Sequence, residues 1–553
     1  MRLILALLYF AYIAAAQSIG GGFSIGGAVQ PGQPALANYT WYVDSATGSD
    51  SNSGHCTVLQ QASLSWSTCA FATVAHTVAA MISSGASYQS ACLTFGSYFQ
   101  NDGGYEQTLQ NPTFTACGNS ALGIPVIDAS ALIPINSGGW TKYSTGGAYF
   151  ITVTTATAIP GGGDPEGFSA FEGSSSSTAG FLTLATSAAN CDSTPGTYYI
   201  ANAGEGSWPG GSGTLYVNPT AGGSPASNGL QYKYTSQVYA LNTWNPNASS
   251  TVYSPTVLNI SMCCQAGNNG SFVLGKGGYA HNVQANFGGK HNTLIASDTV
   301  VDGLSMTAAN VALSGNYLIH YDNVAISNGS ILNNITVDGT GSVGGLGTSL
   351  GYDSHQSSGT FGTILLTNWT VMGPVSSGIA GQNPWTGNSI TCSSTVKECV
   401  GPFQPVSISN LISHAYSRAF TAQGGITATV SSSSLDNMIL VAGSGTTFNL
   451  SGSTLTSTGY FYASTSATIN STGNTLLGGT GVQPYVNTDN TVLVASDNNS
   501  FCTGNPGCYA GLHPASISFV TQTKAQWLAI VCPANGNSVC VSPATQDAHS
   551  TFH

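Results

Sequence analysis

A chain with only 8 Lys and Arg, 20 Asp and Glu and 10 His in 553 residues gathers many of its titratable side chains between residues 276 and 418. Lys276, His281, Lys290, His291, Asp298, Asp302, His320, Asp322, Asp353, His355, His414 and Arg418 all fall there. Three strings set such groups beside Gly, Asn or an aromatic ring: Lys276-Gly277-Gly278-Tyr279-Ala280-His281-Asn282, His320-Tyr321-Asp322-Asn323 and Tyr352-Asp353-Ser354-His355-Gln356. Two chemistries suit these residue types. Lys276, His281 or His320 could abstract a proton α to a carboxylate while Arg418 or Lys290 neutralises the charge. Asp322 and Asp353 could instead cleave an acetal as a pair, provided their carboxyls lie about 5–9.5 Å apart, or could ligate a metal. The plain alternative for each His is a surface or turn residue. Asp302-Gly303 and Asp338-Gly339 read as turns, because Asp bonds locally and Gly tolerates positive φ.

These groups sit in an unusual background. Only 5% of residues are charged, where about 25% is usual. An apolar fraction of 42%, with 70 Gly, 20 Phe and 25 Tyr, leaves enough material for a large core and excludes a disordered chain. Ser, Thr, Asn, Gln and Gly must supply the surface, a composition that favours strands and turns over helices. The net charge of −12 excludes non-specific binding to nucleic acid or anionic membranes, since so few cations neutralise few phosphates. Residues 1–16 have the form of a secretory signal peptide: Arg2, an apolar run over 3–13, and Ala14-Ala15-Ala16 before Gln17. That run is too short to span about 30 Å of hydrocarbon, so an extracellular protein without a membrane segment is expected. The 13 Cys fit an oxidising compartment. Their spacing suggests Cys56 with Cys69, Cys92 with Cys117, Cys392 with Cys399, Cys502 with Cys508 and Cys532 with Cys540, while Cys191 could reach Cys263 or Cys264. Sequons at Asn259, Asn269, Asn328, Asn334, Asn368, Asn449 and Asn470 read either as glycosylation acceptors or as turn residues bonding backbone.

The elements that must position the candidate groups are short. Residues 71–82 have the apolar spacing of an amphipathic helix that could cap a core. From about 255 onward β-rich runs alternate with Asn or Gly turns, as in 257–262, 335–339, 364–373 and 406–412. Asn449-Leu450-Ser451-Gly452-Ser453-Thr454-Leu455 aligns with Asn470-Ser471-Thr472-Gly473-Asn474-Thr475-Leu476, an offset of about one coil in a β-solenoid. Short runs with a drifting period favour a parallel β-helix over a propeller or a sandwich. Equivalent positions on successive coils would then stack about 4.8 Å apart.

The block from Trp41 to Gly54 followed by Phe71-Ala72-Thr73-Val74, and at the other end Ser496-Asp497-Asn498-Asn499-Ser500, Trp527 and Asp547-Ala548-His549-Ser550, resemble the opening and closing segments of secreted right-handed parallel β-helix proteins of the pectate-lyase-like superfamily. The resemblance implies an all-β, right-handed parallel β-helix with a short N-terminal capping helix and irregular β insertions. The expected organisation is a signal peptide (1–16), a Gly-rich leader (17–40) and one β-helix domain (41–553), with an insertion about 140–250, regular coils about 255–495 and a disulfide-rich cap about 496–553. It further implies a carbohydrate-active protein, foremost a polysaccharide lyase acting on an extracellular polysaccharide. Lys276, His281, His320, Asp322, Asp353, His355 and Arg418 are its site candidates. Ca2+ is a cofactor that related lyases use, and Asp44, Asp50 and Asn52 form an acidic turn that could hold an ion or simply be an Asx-stabilised turn. Two other functions stay open: a glycoside hydrolase on a neutral glycan, and a non-catalytic adhesin binding through Ser, Thr and Asn ladders.

Overall fold

The computed structural model describes residues 24–25, 28–29 and most of 40–553. The longer stretches outside the described set are 100–108, 156–167, 202–210, 244–253, 264–271, 308–316, 339–347, 355–361, 373–384, 388–405, 504–511 and 533–539. The signal segment and the suggested Cys392 to Cys399 pair lie outside it. The described chain is mostly β with a few short helices. A 21-stranded sheet and a 12-stranded sheet dominate it. Successive strands alternate between the two: Tyr279–Asn286 pairs in parallel with Val300–Thr307, while Thr293–Ala296 between them pairs in parallel with Phe272–Leu274 and Tyr317–Asn323. Each circuit of the chain thus adds a rung to both sheets. The internal sequence match marks neighbouring rungs, since Asn449 is the register partner of Asn470 and Leu455 of Leu476.

Ser330–Asp338 and Ile364–Met372 show how the sequence directs these rungs. Leu332, Ile335 and Val337, and likewise Leu366, Trp369 and Val371, point inward and are almost fully buried. The strict alternation breaks once in each strand, where Asn333 and Asn334, or Thr367 and Asn368, both stay outside. A left-handed residue causes the break. Asn259, Asn282, Gly303, Asn334, Asn368, Asn410, Ser432, Gly452, Gly473 and Asn498 all have positive φ, a conformation that Gly and Asn tolerate best. The amides also bond along the stack: Asn282 Nδ2 donates to Asn259 Oδ1 (2.8 Å), Asn368 Nδ2 to Asn333 Oδ1 (3.0 Å) and Asn410 Nδ2 to Asn368 Oδ1 (2.8 Å). On the later coils a second, buried column follows the bend. Ser433, Ser453 and Asn474 each accept a backbone N–H from the preceding coil, at 3.1, 3.1 and 2.9 Å.

Replacing Asn368 tests the bend. Asn368→Ala should lose about 1–2 kcal/mol for the left-handed backbone in addition to the ladder bonds, whereas Asn368→Gly should lose only the bonds. Urea denaturation of both variants checks this, and equal midpoints would remove the backbone argument. Both substitutions delete the sequon, so glycosylation does not confound the comparison.

Motifs seal the two ends of the core. At the start, Asp50 Oδ1 accepts the N–H groups of Ala72 and Thr73 at 2.9 and 3.0 Å, and Thr73 caps the helix Val74–Ser84, which ends on a left-handed Gly85. Val74, Val78 and Met81 of this helix enter the main core. Gly54, at positive φ, lies so close that a Cβ would meet the Phe71 ring at 2.3 Å. At the far end the closing block folds onto the last coils. Trp527 Nε1 donates to Asp547 Oδ2 (2.7 Å), and Asp547 Oδ1 accepts from Ser496 Oγ (2.9 Å), Asn499 Nδ2 (3.2 Å) and Ser550 Oγ (2.7 Å). Asp497, fully buried, accepts the His549 N–H at 2.8 Å and lies 2.7 Å from His549 Nδ1.

Burial pushes the Asp547 carboxyl above its ordinary value, against the pull of Ser550, Trp527, Asn499 and Ser496. The native state therefore holds this proton more tightly than the unfolded chain does. The stabilisation is complete below the unfolded pKa and is lost as pH rises through the native one. As pH rises above the ordinary Asp value of about 4, Tm should decline with pH more steeply in the native protein than in Asp547→Asn. Parallel Tm profiles for the two proteins would count against this account.

A separate module leaves the stack between Val126–Asp128 and Thr256–Leu258. Its five-stranded and four-stranded sheets, antiparallel except for one pair, enclose a core of their own that includes Trp140, Phe168, Tyr198 and Leu215. Where it departs, Lys233 Nζ lies 2.9 Å from Asp128 Oδ2 with both side chains buried. Asp128 Oδ1 also accepts the N–H and Oγ–H of Ser130 at 2.9 and 2.6 Å, and Lys233 Nζ stands 4.9 Å from the Phe171 ring centre.

Cys56 and Cys69, Cys92 and Cys117, and Cys532 and Cys540 form disulfides, and Cys263 and Cys502 are also disulfide-bonded. Cys191 corrects the sequence expectation. It is a free, buried thiol packed with Ala148 and Ala185 inside the module, whereas Cys263 belongs to a strand of the main stack, so the suggested bridge does not form.

Candidate functional site

Candidate residues fall on both sheets of the stack. On the larger sheet His281, on the strand Tyr279–Asn286, has its Nδ1 3.3 Å from Asp302 Oδ2 on the next rung. Both side chains are partly exposed, at 48% and 35%, which leaves the pair reachable from solvent. The Tyr279 ring runs parallel to the imidazole with centroids 6.5 Å apart, and burial, then the nearby Asp302 charge, pushes its phenol up. Asp302 Oδ1 accepts from Asn333 Nδ2 (2.9 Å) and Asn334 Nδ2 (2.7 Å). Asn333 Oδ1 in turn accepts from Thr367 Oγ1 (2.6 Å) and Asn368 Nδ2 (3.0 Å). The run of donors from Asn410 through Asn368 and Asn333 ends on this one carboxylate. A carboxylate at Nδ1 favours the tautomer with its proton there, leaving Nε2 as the basic nitrogen.

Asp302 is the residue that sequence reasoning set aside. Gly303 does take positive φ, as an Asp-Gly turn requires, yet Asp302 lies within the strand Val300–Thr307 and faces His281. A signal existed: 302 follows 281 by the same offset as 470 follows 449, and both pairs are register partners.

On the smaller sheet, Asp322 in Tyr317–Asn323 is the register partner of Asp353 in Thr348–Ser354, and His320 is the partner of Gly351. Thr293 and Ile295 on the preceding rung are fully buried. Their register partners are Ile319 and Tyr321, continued by Leu350 and Tyr352. Strand alternation therefore gives His320, Asp322, Gly351 and Asp353 the opposite set of positions.

The remaining candidates fall elsewhere. Lys276 Nζ is 3.4 Å from Asp298 Oδ2, with side chains only 11% and 10% exposed. It is held in a largely buried ion pair. Arg418 opens the strand Arg418–Ala422 opposite Ile439, beside a register irregularity. His414 ends Val406–His414 opposite Met372. His355, Lys290 and His291 lie outside the described residues. The fold thus brings Asp322 and Asp353 to adjacent rungs with His320 close by in sequence, and places His281 on the other sheet.

The acidic opening turn is saturated by its own chain. Asp44 accepts from the N–H groups of Ala46 and Thr47 and from Thr47 Oγ1, Asp50 from Ala72 and Thr73. Among the described residues no group of three or more His, Cys, Asp or Glu is arranged to hold a metal ion, and no helix is long and apolar enough to cross a membrane.

Among solved structures the chain is similar to one described as the complex structure of XylC with xylose, at 10% identity over 83% of this chain and 69% of that one, with a TM-score of 0.37. It is also similar to one described as a glycoside hydrolase, at 8% identity over 85% of this chain and 98% of that one, with a TM-score of 0.39. At such scores neither likeness bears on activity. No protein-family model matches the chain, and no curated protein does.

Proposed function

We propose that this is a secreted, right-handed parallel β-helix protein that hydrolyses glycosidic bonds of a neutral extracellular polysaccharide, with Asp322 and Asp353 as its two carboxylates. The observation that carries the reading is their register on adjacent parallel strands. Neighbouring strands run about 4.8 Å apart, close to the separation of about 5–5.5 Å at which one carboxyl protonates the leaving oxygen and the other attacks the sugar carbon. His320, partnered by Gly351, would border the same sugar. A neutral substrate also suits the charge of −12, which repels polyuronates.

A lyase needs a cation beside its base. The register partners of His281 are Leu258 and Asp302, neither a cation, and Lys276 is engaged by Asp298. Incubation with neutral and uronate polysaccharides, reading reducing ends and unsaturated ends separately, decides between these functions. New reducing ends on a neutral polymer without unsaturation are expected. Unsaturated ends on a polyuronate would move the chemistry to His281 and Asp302, and binding without any product would make the protein an adhesin.

A further inference from the structure

The module that leaves the stack carries an aromatic row on the outer face of its five-stranded sheet. Tyr199, Tyr216 and Phe150 are register partners on three adjacent strands. Their ring centroids lie 5.9 Å apart for Tyr199 and Tyr216 and 5.6 Å for Tyr216 and Phe150, and Tyr143 meets Tyr216 edge-on at 5.2 Å. The residues alternating with the row, Tyr198, Ile200, Leu215 and Val217, are buried in the module's core, so the row faces the other way. Tyr143 is 40% exposed and the other three rings are partly exposed. Tyr199 and Tyr216 pack on one side against a small buried cluster of Ala148, Ala185 and Cys191, and both rings stay partly exposed.

The row carries no charge of its own. Asp192 nearby is held below the ordinary carboxylate range by Ser144 and by the N–H groups of Ala148 and Gly146, and Lys142 partners Tyr149, not a member of the row. A contiguous aromatic strip that stays partly exposed outside the module's main core points to a ligand. A pyranose ring offers an apolar face of C–H bonds and a rim of hydroxyls, and tyrosine offers a flat apolar face and a polar tip to match. An anionic glycan would gain nothing from an uncharged row on a negatively charged protein, whereas a neutral one meets no repulsion.

We propose that Tyr143, Phe150, Tyr199 and Tyr216 form a docking platform for a neutral, extended polysaccharide, separate from any cleavage site on the stack. The platform shares the substrate class proposed above but does not depend on Asp322 or Asp353. Affinity electrophoresis of the full chain through gels containing hydroxyethylcellulose, arabinoxylan or polygalacturonate tests it. At least one neutral polymer should retard the protein, Tyr143→Ala and Phe150→Ala should each weaken that retardation by roughly tenfold, about 1.4 kcal/mol, and Tyr143→Phe should retain it. Retardation by polygalacturonate alone, by no polymer, or to an equal degree in the Ala variants would overturn the proposal. Tyr143 is exposed enough for its replacement to spare the fold, which keeps the test valid where Phe150→Ala is unstable. Retardation is read without reference to product, so loss of binding in the Ala variants and absence of cleavage are separate results, and the platform and the hydrolase reading fail in distinguishable ways.

Discussion

Asp322→Asn and Asp353→Asn should each lower kcat on a neutral polysaccharide by roughly a hundredfold to ten-thousandfold, with KM little changed. Asn keeps the size and shape of the side chain but can neither carry an acidic proton nor attack a sugar carbon. Because the two residues sit at one register position on neighbouring strands, either substitution leaves the parallel pairing intact, and thermal stability should stay near that of the native protein. The two variants should also differ from each other. The one lacking the general acid should recover much of its rate on a glycoside whose leaving group needs no protonation. The one lacking the nucleophile should not. Retention of more than a tenth of native activity by both variants would sink the assignment.

The largest stability effect is expected where the module joins the stack. Asp128→Ala or Lys233→Ala should cost about 3–5 kcal/mol, because each leaves a buried charge without its partner. The Lys233 ammonium would lose its buried counter-charge while keeping the face of Phe171, and the Asp128 carboxylate would lose its cation while keeping the donors of Ser130. Urea denaturation measures the loss, and limited proteolysis should show new cuts within the module before any in the stack. Joint replacement by apolar residues, Asp128→Leu with Lys233→Met, should recover a large part of the loss, since a buried pair contributes little beyond what good packing would. If the single variants lose under 1 kcal/mol, the pair is not what anchors the module.

What could be read from the sequence was local or strictly periodic. The run at 364–373 became the strand Ile364–Met372, and the helix expected at 71–82 runs from Val74 to Ser84, because capping and alternation act within a few residues. The blocks around Trp41 and Asp547 carry the family resemblance, and within each block the residues meet in space: Trp41 stacks on Phe71, and Trp527 and Ser496 both bond Asp547. Longer-range pairing was hidden. The module joins Tyr149–Thr154 to Ser212–Asn218 in antiparallel register, and no local pattern announces a partner that distant. Asp302 was misread for a related reason: the Asp-Gly rule looks two residues ahead, while its carboxylate acts one coil back, on His281. Lys276 looked like a base because it is a scarce cation in a Gly-rich string, and only the fold reveals Asp298 beside it.

The buried ion pairs have one more consequence. Lys233 and Lys276 are both almost inaccessible, and Lys524 lies 4.0 Å above the Phe552 ring. Of the described lysine side chains only Lys142 stands exposed. Among the described lysine side chains outside the module, a digestive enzyme that cuts after Lys therefore finds little purchase.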